Sequence, residues 1–93
     1  MALTETQEND KIEVVNKWNI QVRNATIIKK DGKELTRTFH RHVLNPGTLD
    51  ASDNLVETDI SGEDADVQAI ANAVWTTQVK ADYKAFLIAN KGL

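Results

Sequence analysis

The chain has 93 residues, of which 41% are hydrophobic and 27% charged, and its net charge is −3. That suffices for one small domain around one core, excludes disorder throughout, and leaves little volume for a deep catalytic pocket. With no cysteine, disulfides, thiolate chemistry and cysteine zinc sites are excluded together, and an intracellular setting is expected.

The opening stretch MALTETQEND has neither a basic start nor an apolar run, so it does not read as a signal peptide. No apolar run approaches the length of a membrane span, and no membrane partner is expected. Residues 1 to 9 are polar and aperiodic and read as a flexible N-terminal arm; residues 10 to 93 read as a single α+β domain. From Lys11 the pattern turns to strand: KIEVV, then WNIQVRNATIIKK, with Asn16-Lys17 as the natural break because Asn tolerates turn conformations.

Asp31-Gly32 lies between two strand-prone runs and can supply both positive-φ positions of a tight hairpin turn. A two-residue loop read literally sets Ile28 opposite Leu35, Asn24 opposite Phe39, Val22 opposite Arg41 and Ile20 opposite Val43. That face carries most of the large apolar groups and reads as the core face. The other sets Arg23 opposite His40 and Gln21 opposite His42, and reads as wet. A bulge after Gly32 would shift this register. In the bulge-free register Arg37 and Arg41 flank the core face, laying their stems over apolar groups and reaching acids of the C-terminal half.

Asn45-Pro46-Gly47 ends the hairpin and opens a long connection. Asp50, Asp53, Asn54, Glu57 and Asp59 in it do not match the ligand spacing of a calcium loop. Leu55, Val56 and Ile60 are expected to pin part of the connection to the core. Ser61-Gly62-Glu63-Asp64 resembles a capping box, and Val67, Ile70, Ala71, Val74 and Trp75 recur at helical spacing. Thr76 or Thr77 can cap a second helix bearing Val79, Tyr83, Phe86 and Leu87; one kinked helix is the alternative. The expected fold is a small antiparallel hairpin or three-stranded meander followed by one or two C-terminal helices on one sheet face. The expected core is Ile20, Val22, Ile28, Leu35, Phe39, Val67, Ile70, Val74, Tyr83, Phe86 and Leu87.

Charge is distributed unevenly. Residues 10 to 43 carry eight basic and four acidic side chains, a balance of +4; residues 44 to 93 carry three basic and eight acidic ones, a balance of −5. The two halves are expected to attract each other within the fold or between copies. Arg23, Lys29, His40 and His42 are the candidate contacts for a nucleic acid or a partner. Two histidines are too few to hold a metal, and neighbouring arginines repel a cation, so neither a metal nor a cofactor is assigned. No Gly-rich phosphate loop, helical histidine pair or nucleophile elbow is present, and the chain reads as non-enzymatic.

The run IQVRNATIIKKDGKELTRTFHRHVLNPG, followed by EDADVQAIANAVWT, resembles a group of short proteins encoded by marine bacteriophages, cyanophages among them. The likeness covers about residues 10 to 89, and the segment from Phe39 to Leu44 is its most distinctive part. It implies a phage-encoded protein located in the host cytoplasm or the virion. It carries over no functional residue. The expected function is a non-catalytic interaction module, virion-associated or bound to a host factor, with a homo-oligomer as its preferred state. The alternative is a nucleic-acid-binding accessory protein using the basic polar face of the hairpin.

Overall fold

Two tight loops fold the first half of the chain into a long ribbon. In the computed structural model, which describes residues 2 to 91, β1 (Leu3–Val15), β2 (Asn19–Lys30) and β3 (Lys33–Leu44) form an antiparallel sheet in the order β1-β2-β3. Asn16 and Lys17 begin the first loop with φ of 55° and 75°, and Asp31 and Gly32 form the second with φ of 52° and 83°. These are the positive-φ positions that the turn residues anticipate. The second half holds β4 (Gly47–Leu49), β5 (Leu55–Glu57), α1 (Ala65–Val74) and α2 (Thr77–Ala89). The architecture is α+β, a three-stranded meander followed by two C-terminal helices.

Residues 3 to 9 are strand rather than an arm outside the domain. They pair with β2 from Leu3 opposite Lys30 to Asn9 opposite Asn24, and the Asp31 amide donates to the Ala2 carbonyl at 2.9 Å. Among the described residues no helix covers the ribbon beyond Asn9, so backbone pairing, helped by the contacts of Glu8 with Arg37 and of Asn9 with Asp64 and Asp66, holds the segment and no hydrophobic alternation is needed.

The hairpin register also differs from the bulge-free reading. Lys29 stands opposite Glu34 but Ile28 stands opposite Thr36, so Leu35 is a bulged residue without a partner. One extra residue exchanges the faces of everything beyond it. One face now carries Ile12, Val14, Ile20, Val22, Asn24, His40, His42 and Leu44; this is the face that α1 covers. The other, open face carries Arg23, Ala25, Ile27, Arg37, Phe39, Arg41 and Val43. The physical reason is desolvation. Without the bulge, Arg41 would lie beside Val22 under α1, where a guanidinium without an acid is costly. With it, Leu44 joins the core instead.

The core is therefore smaller than expected and differently composed. Ile20, Val22, Val67, Ala71 and Trp75 form it, with Ile12, Leu44, Ile60, Ile70, Val74 and Val79 packed around them. Leu35, Phe39 and Phe86 are exposed, at 58%, 40% and 46%. Trp75 Nε1 donates to the Trp18 carbonyl at 2.8 Å and fastens the end of α1 to the β1–β2 loop. Trp18 in turn meets the ring of buried Tyr83 edge-on at 5.1 Å, which brings α2 to the same end of the sheet.

The connection contains its own small hairpin. Gly47 pairs with Glu57, and a Cβ at Gly47 would stand 2.3 Å from the Val56 carbonyl oxygen, so only glycine fits there. Leu55 and Ile60 are half-buried, whereas Val56 is exposed. Asp64, not Ser61, occupies the N-cap of α1, because Ser61 is used in the turn that bonds the Glu63 amide to the Ile60 carbonyl. The two helices are separate, with Thr76 Oγ1 accepting from the Val79 amide at 3.2 Å to cap α2.

The helices cover only the base of the ribbon. The hydrogen bonds and apolar contacts joining α1 to the sheet reach no further than Asn9, Asn24 and His42. Beyond them the ribbon projects, giving extents of 59 × 26 × 21 Å and a radius of gyration of 17.5 Å. A compact chain of this length would have a radius of gyration of about 12 Å.

Candidate interaction face of the ribbon

All three arginines of the chain lie on the open face. Arg23 and Arg41 stand directly opposite each other on adjacent strands, an arrangement that repels unless something offsets the charges. Two features do so. Asp10, the extra residue where β1 bulges, turns its carboxylate onto this face and grips Arg23 with a two-pronged contact, Nε to Oδ1 at 2.9 Å and Nη2 to Oδ2 at 2.8 Å. Phe39, one row further along the sheet, offers its ring to both, with the Arg23 guanidinium 4.5 Å and that of Arg41 6.0 Å from its ring centre.

Arg37 is held in the same manner by Glu34, at 2.8 and 3.2 Å, with Glu8 and Asp10 further off at 3.5 and 3.6 Å. These contacts shift both sets of groups. Arg23 holds the Asp10 carboxyl below the usual range, and Arg37 does the same to Glu34; both guanidiniums are raised in return. Arg41 makes no ion pair among the described residues.

Beneath these groups the face is apolar. Ala25, opposite Phe39, is fully buried, and Ile27, opposite Arg37, is 4% exposed, although no helix covers either. Their neighbours' long side chains cover them. Toward the base the face opens into a shallow groove of about 310 Å³, lined by Lys11, Glu13, Gln21, Arg23, Arg41 and Val43 among others. The result is an aromatic ring and three guanidiniums on a partly desolvated sheet face.

The four residues singled out in the sequence do not share one surface. Arg23 and Lys29 are on the open face. His40 and His42 are on the covered one, because the Leu35 bulge moved them there. His40 is exposed opposite Asn24, while His42 Nε2 lies 2.7 Å from Glu63 Oε1 and ties β3 to the turn before α1. Arg37 does not reach the acidic half, since its partners lie in β1 and β3. Phe39, Asp10 and Glu8 were missed. Arg37, Phe39 and Arg41 are two residues apart in succession, and that spacing, which sets them on one face of β3, was the available signal.

A second groove, of about 340 Å³, lies between the β4–β5 region and α1, and its charged groups and Gln68 are committed. Glu57 is engaged by Lys80, Asp59 accepts from the Ser61 amide, and Gln68 donates to the Ser61 and Glu63 carbonyls. The Asp50 carboxylate accepts from the Ser52 and Asn54 amides, which holds its pKa below the usual range. Among the described residues no three His, Asp or Glu side chains converge as metal ligands would, and no helix is long and apolar enough to cross a membrane. Comparisons with protein-family models, curated proteins and solved structures return no match.

Proposed function

We propose that this chain is a non-catalytic, phage-encoded interaction module that binds a protein partner, a virion component or a host factor, through the open face of its ribbon. The observation that carries this reading is the gathering of all three arginines around a 40% exposed Phe39 on a sheet face that no element among the described residues covers. Arginine and aromatic groups on a rigid, partly desolvated platform are what dominates binding energy at protein interfaces. The phage setting rests on the sequence resemblance alone.

The charge arrangement weighs against the nucleic-acid alternative. A phosphate-tracking surface needs cations free to displace counterions. Here Arg23 and Arg37 are already committed to Asp10, Glu34 and Glu8, and Lys11 to Glu13, leaving Arg41 and Lys29 on this face without an ion pair among the described residues.

The test is retention of a partner, identified from phage particles and from host extract and then purified, on immobilised protein carrying either the natural face or Phe39→Ala with Arg41→Ala. Loss of two such side chains should weaken binding by roughly 30-fold or more. Equal retention by the variant would contradict the reading. Binding of unrelated DNA or RNA that weakens steeply with salt would favour the alternative.

A further inference from the structure

β1 and β3 are the outer strands of the sheet, and among the described residues neither outer edge is paired. An open edge this long is a template for another strand. The two edges carry opposite charges. β1 holds Glu5, Glu8, Asp10 and Glu13 against Lys11, a balance of −3; β3 holds Lys33, Arg37 and Arg41 against Glu34, a balance of +2. Pairing like edges about a two-fold axis would set acid beside acid or base beside base. Pairing unlike edges sets acid beside base.

The spacing of the charges matches as well. Glu8 stands opposite Ala25 and Glu13 opposite Gln21, four positions apart along β2, because the Asp10 bulge absorbs the fifth residue. Arg37 stands opposite Ile27 and Arg41 opposite Arg23, also four positions apart. All four side chains belong to the open face. The acidic pair is offset from the basic pair by two positions, and a slip of two residues keeps every side chain on its own face.

We propose that copies of this chain assemble head to tail. The acidic β1 edge of one copy adds to the basic β3 edge of the next, two residues out of step, with Glu8 beside Arg37 and Glu13 beside Arg41. Since β1 and β3 both run antiparallel to β2, they run parallel to each other, and successive copies, displaced sideways across the sheet and by two residues along it, join through a parallel pair. Such a contact is heterologous and builds a ring or a filament, not an isolated two-fold dimer. It gives Arg41 the acid it lacks within its own chain. The proposal rests on the reading of the chain as an interaction module and names a second copy as one partner, joined through the edges rather than the face.

Sedimentation over a micromolar concentration series tests it, using Glu13→Lys and Arg41→Glu. Neither residue supports the fold strongly: among the described residues Glu13 forms an ion pair only with Lys11, and Arg41 has no acid partner. The natural chain should sediment above its monomer mass of 10.4 kDa. Each variant alone should associate at least roughly tenfold more weakly, through like charges in contact. An equimolar mixture should recover assembly. The lysine introduced in the first variant then meets the glutamate introduced in the second, while the second variant's unchanged Glu13 meets the first variant's unchanged Arg41. A natural chain that stays monomeric, a variant that assembles unchanged, or a mixture of folded variants that fails to recover would overturn the proposal. Should a reversal fail to fold by circular dichroism, mixed Glu13→Cys and Arg41→Cys chains supply the test. They should form the mixed disulfide faster than either same-residue one, and the opposite order overturns the proposal. A monomer that still binds its partner through Phe39 would overturn the assembly while leaving the open-face reading intact.

Discussion

Replacing Phe39 by alanine removes more atoms than replacing Ile20 by alanine, yet it should cost less stability. Ile20 is fully buried beneath α1. Its truncation forfeits three carbons at about 0.8 kcal/mol each, and it leaves a cavity between sheet and helix that close packing cannot collapse. A loss of about 4 kcal/mol is expected, within the range for such core truncations. Phe39 is 40% exposed on the open face. Full burial of a phenylalanine is worth about 1.5–3 kcal/mol, so the covered three-fifths contributes about 1–2 kcal/mol. The Arg23 contact adds about 0.5 kcal/mol at an exposed site. Phe39→Ala should therefore cost about 2 kcal/mol, roughly half the cost of Ile20→Ala. Urea denaturation followed by tryptophan fluorescence reads both, since Trp18 and Trp75 sit at the core end of the sheet. If Phe39→Ala proved as costly as Ile20→Ala, Phe39 would be core and the bulged register would be wrong.

Deleting Leu35 should change stability by less than about 1 kcal/mol, because the residue is bulged and exposed and its removal leaves the pairs on either side intact. A collapse of the native circular dichroism would refute this. Tyr83 is the only tyrosine, and burial raises its hydroxyl pKa, so phenolate absorbance should titrate above pH 10 in the native protein and near 10 in urea. The stability tied to that proton is intact below pH 10 and is lost as pH rises beyond it; a native titration at the ordinary value would contradict the burial. Asp10, Glu34, Asp50 and Asp59 are all held below the usual carboxylate range, the first two by arginines and the others by backbone amides. They stabilise the fold above about pH 4–5, and that contribution is lost as pH falls through and below this range. The urea midpoint should drop across that window and drop less steeply in Asp50→Asn; an unchanged midpoint would refute the assignment.

The two turns were legible because Asn16, Asp31 and Gly32 accept positive φ through local chemistry that tertiary context does not alter, whereas the positive φ of Lys17 has no such signal. The break between α1 and α2 was offered by Thr76 or Thr77 beside the alternative of one kinked helix, and Thr76 is the residue that caps. The hairpin register was not legible. Along β3 both alternating sets mix polar and apolar groups: Arg37, Phe39, Arg41 and Val43 on one side, Thr38, His40, His42 and Leu44 on the other. Neither set reads clearly as a core face, so the choice falls to a cost absent from the local pattern, that of placing a guanidinium under α1. Residues 3 to 9 were missed for a related reason. Periodicity signals a strand only where one face is buried, and at the ribbon's tip neither is. Ala25 and Ile27 are buried by the stems of neighbouring polar side chains rather than by a second layer, which no hydrophobic pattern predicts. The candidate site inherits these limits. Its arginines were visible in the sequence, but the face they share with Phe39 and the acids that hold them depend on the bulges at Asp10 and Leu35.

That shared face is the premise of the functional reading, and cross-strand NMR contacts test it most directly. Nuclear Overhauser effects across the β2–β3 ladder should connect Ala25 with Phe39 and Arg23 with Arg41, placing the ring and both guanidiniums on the uncovered side. Contacts connecting Asn24 with Phe39 and Val22 with Arg41 instead would return those groups to the face beneath α1 and contradict the account.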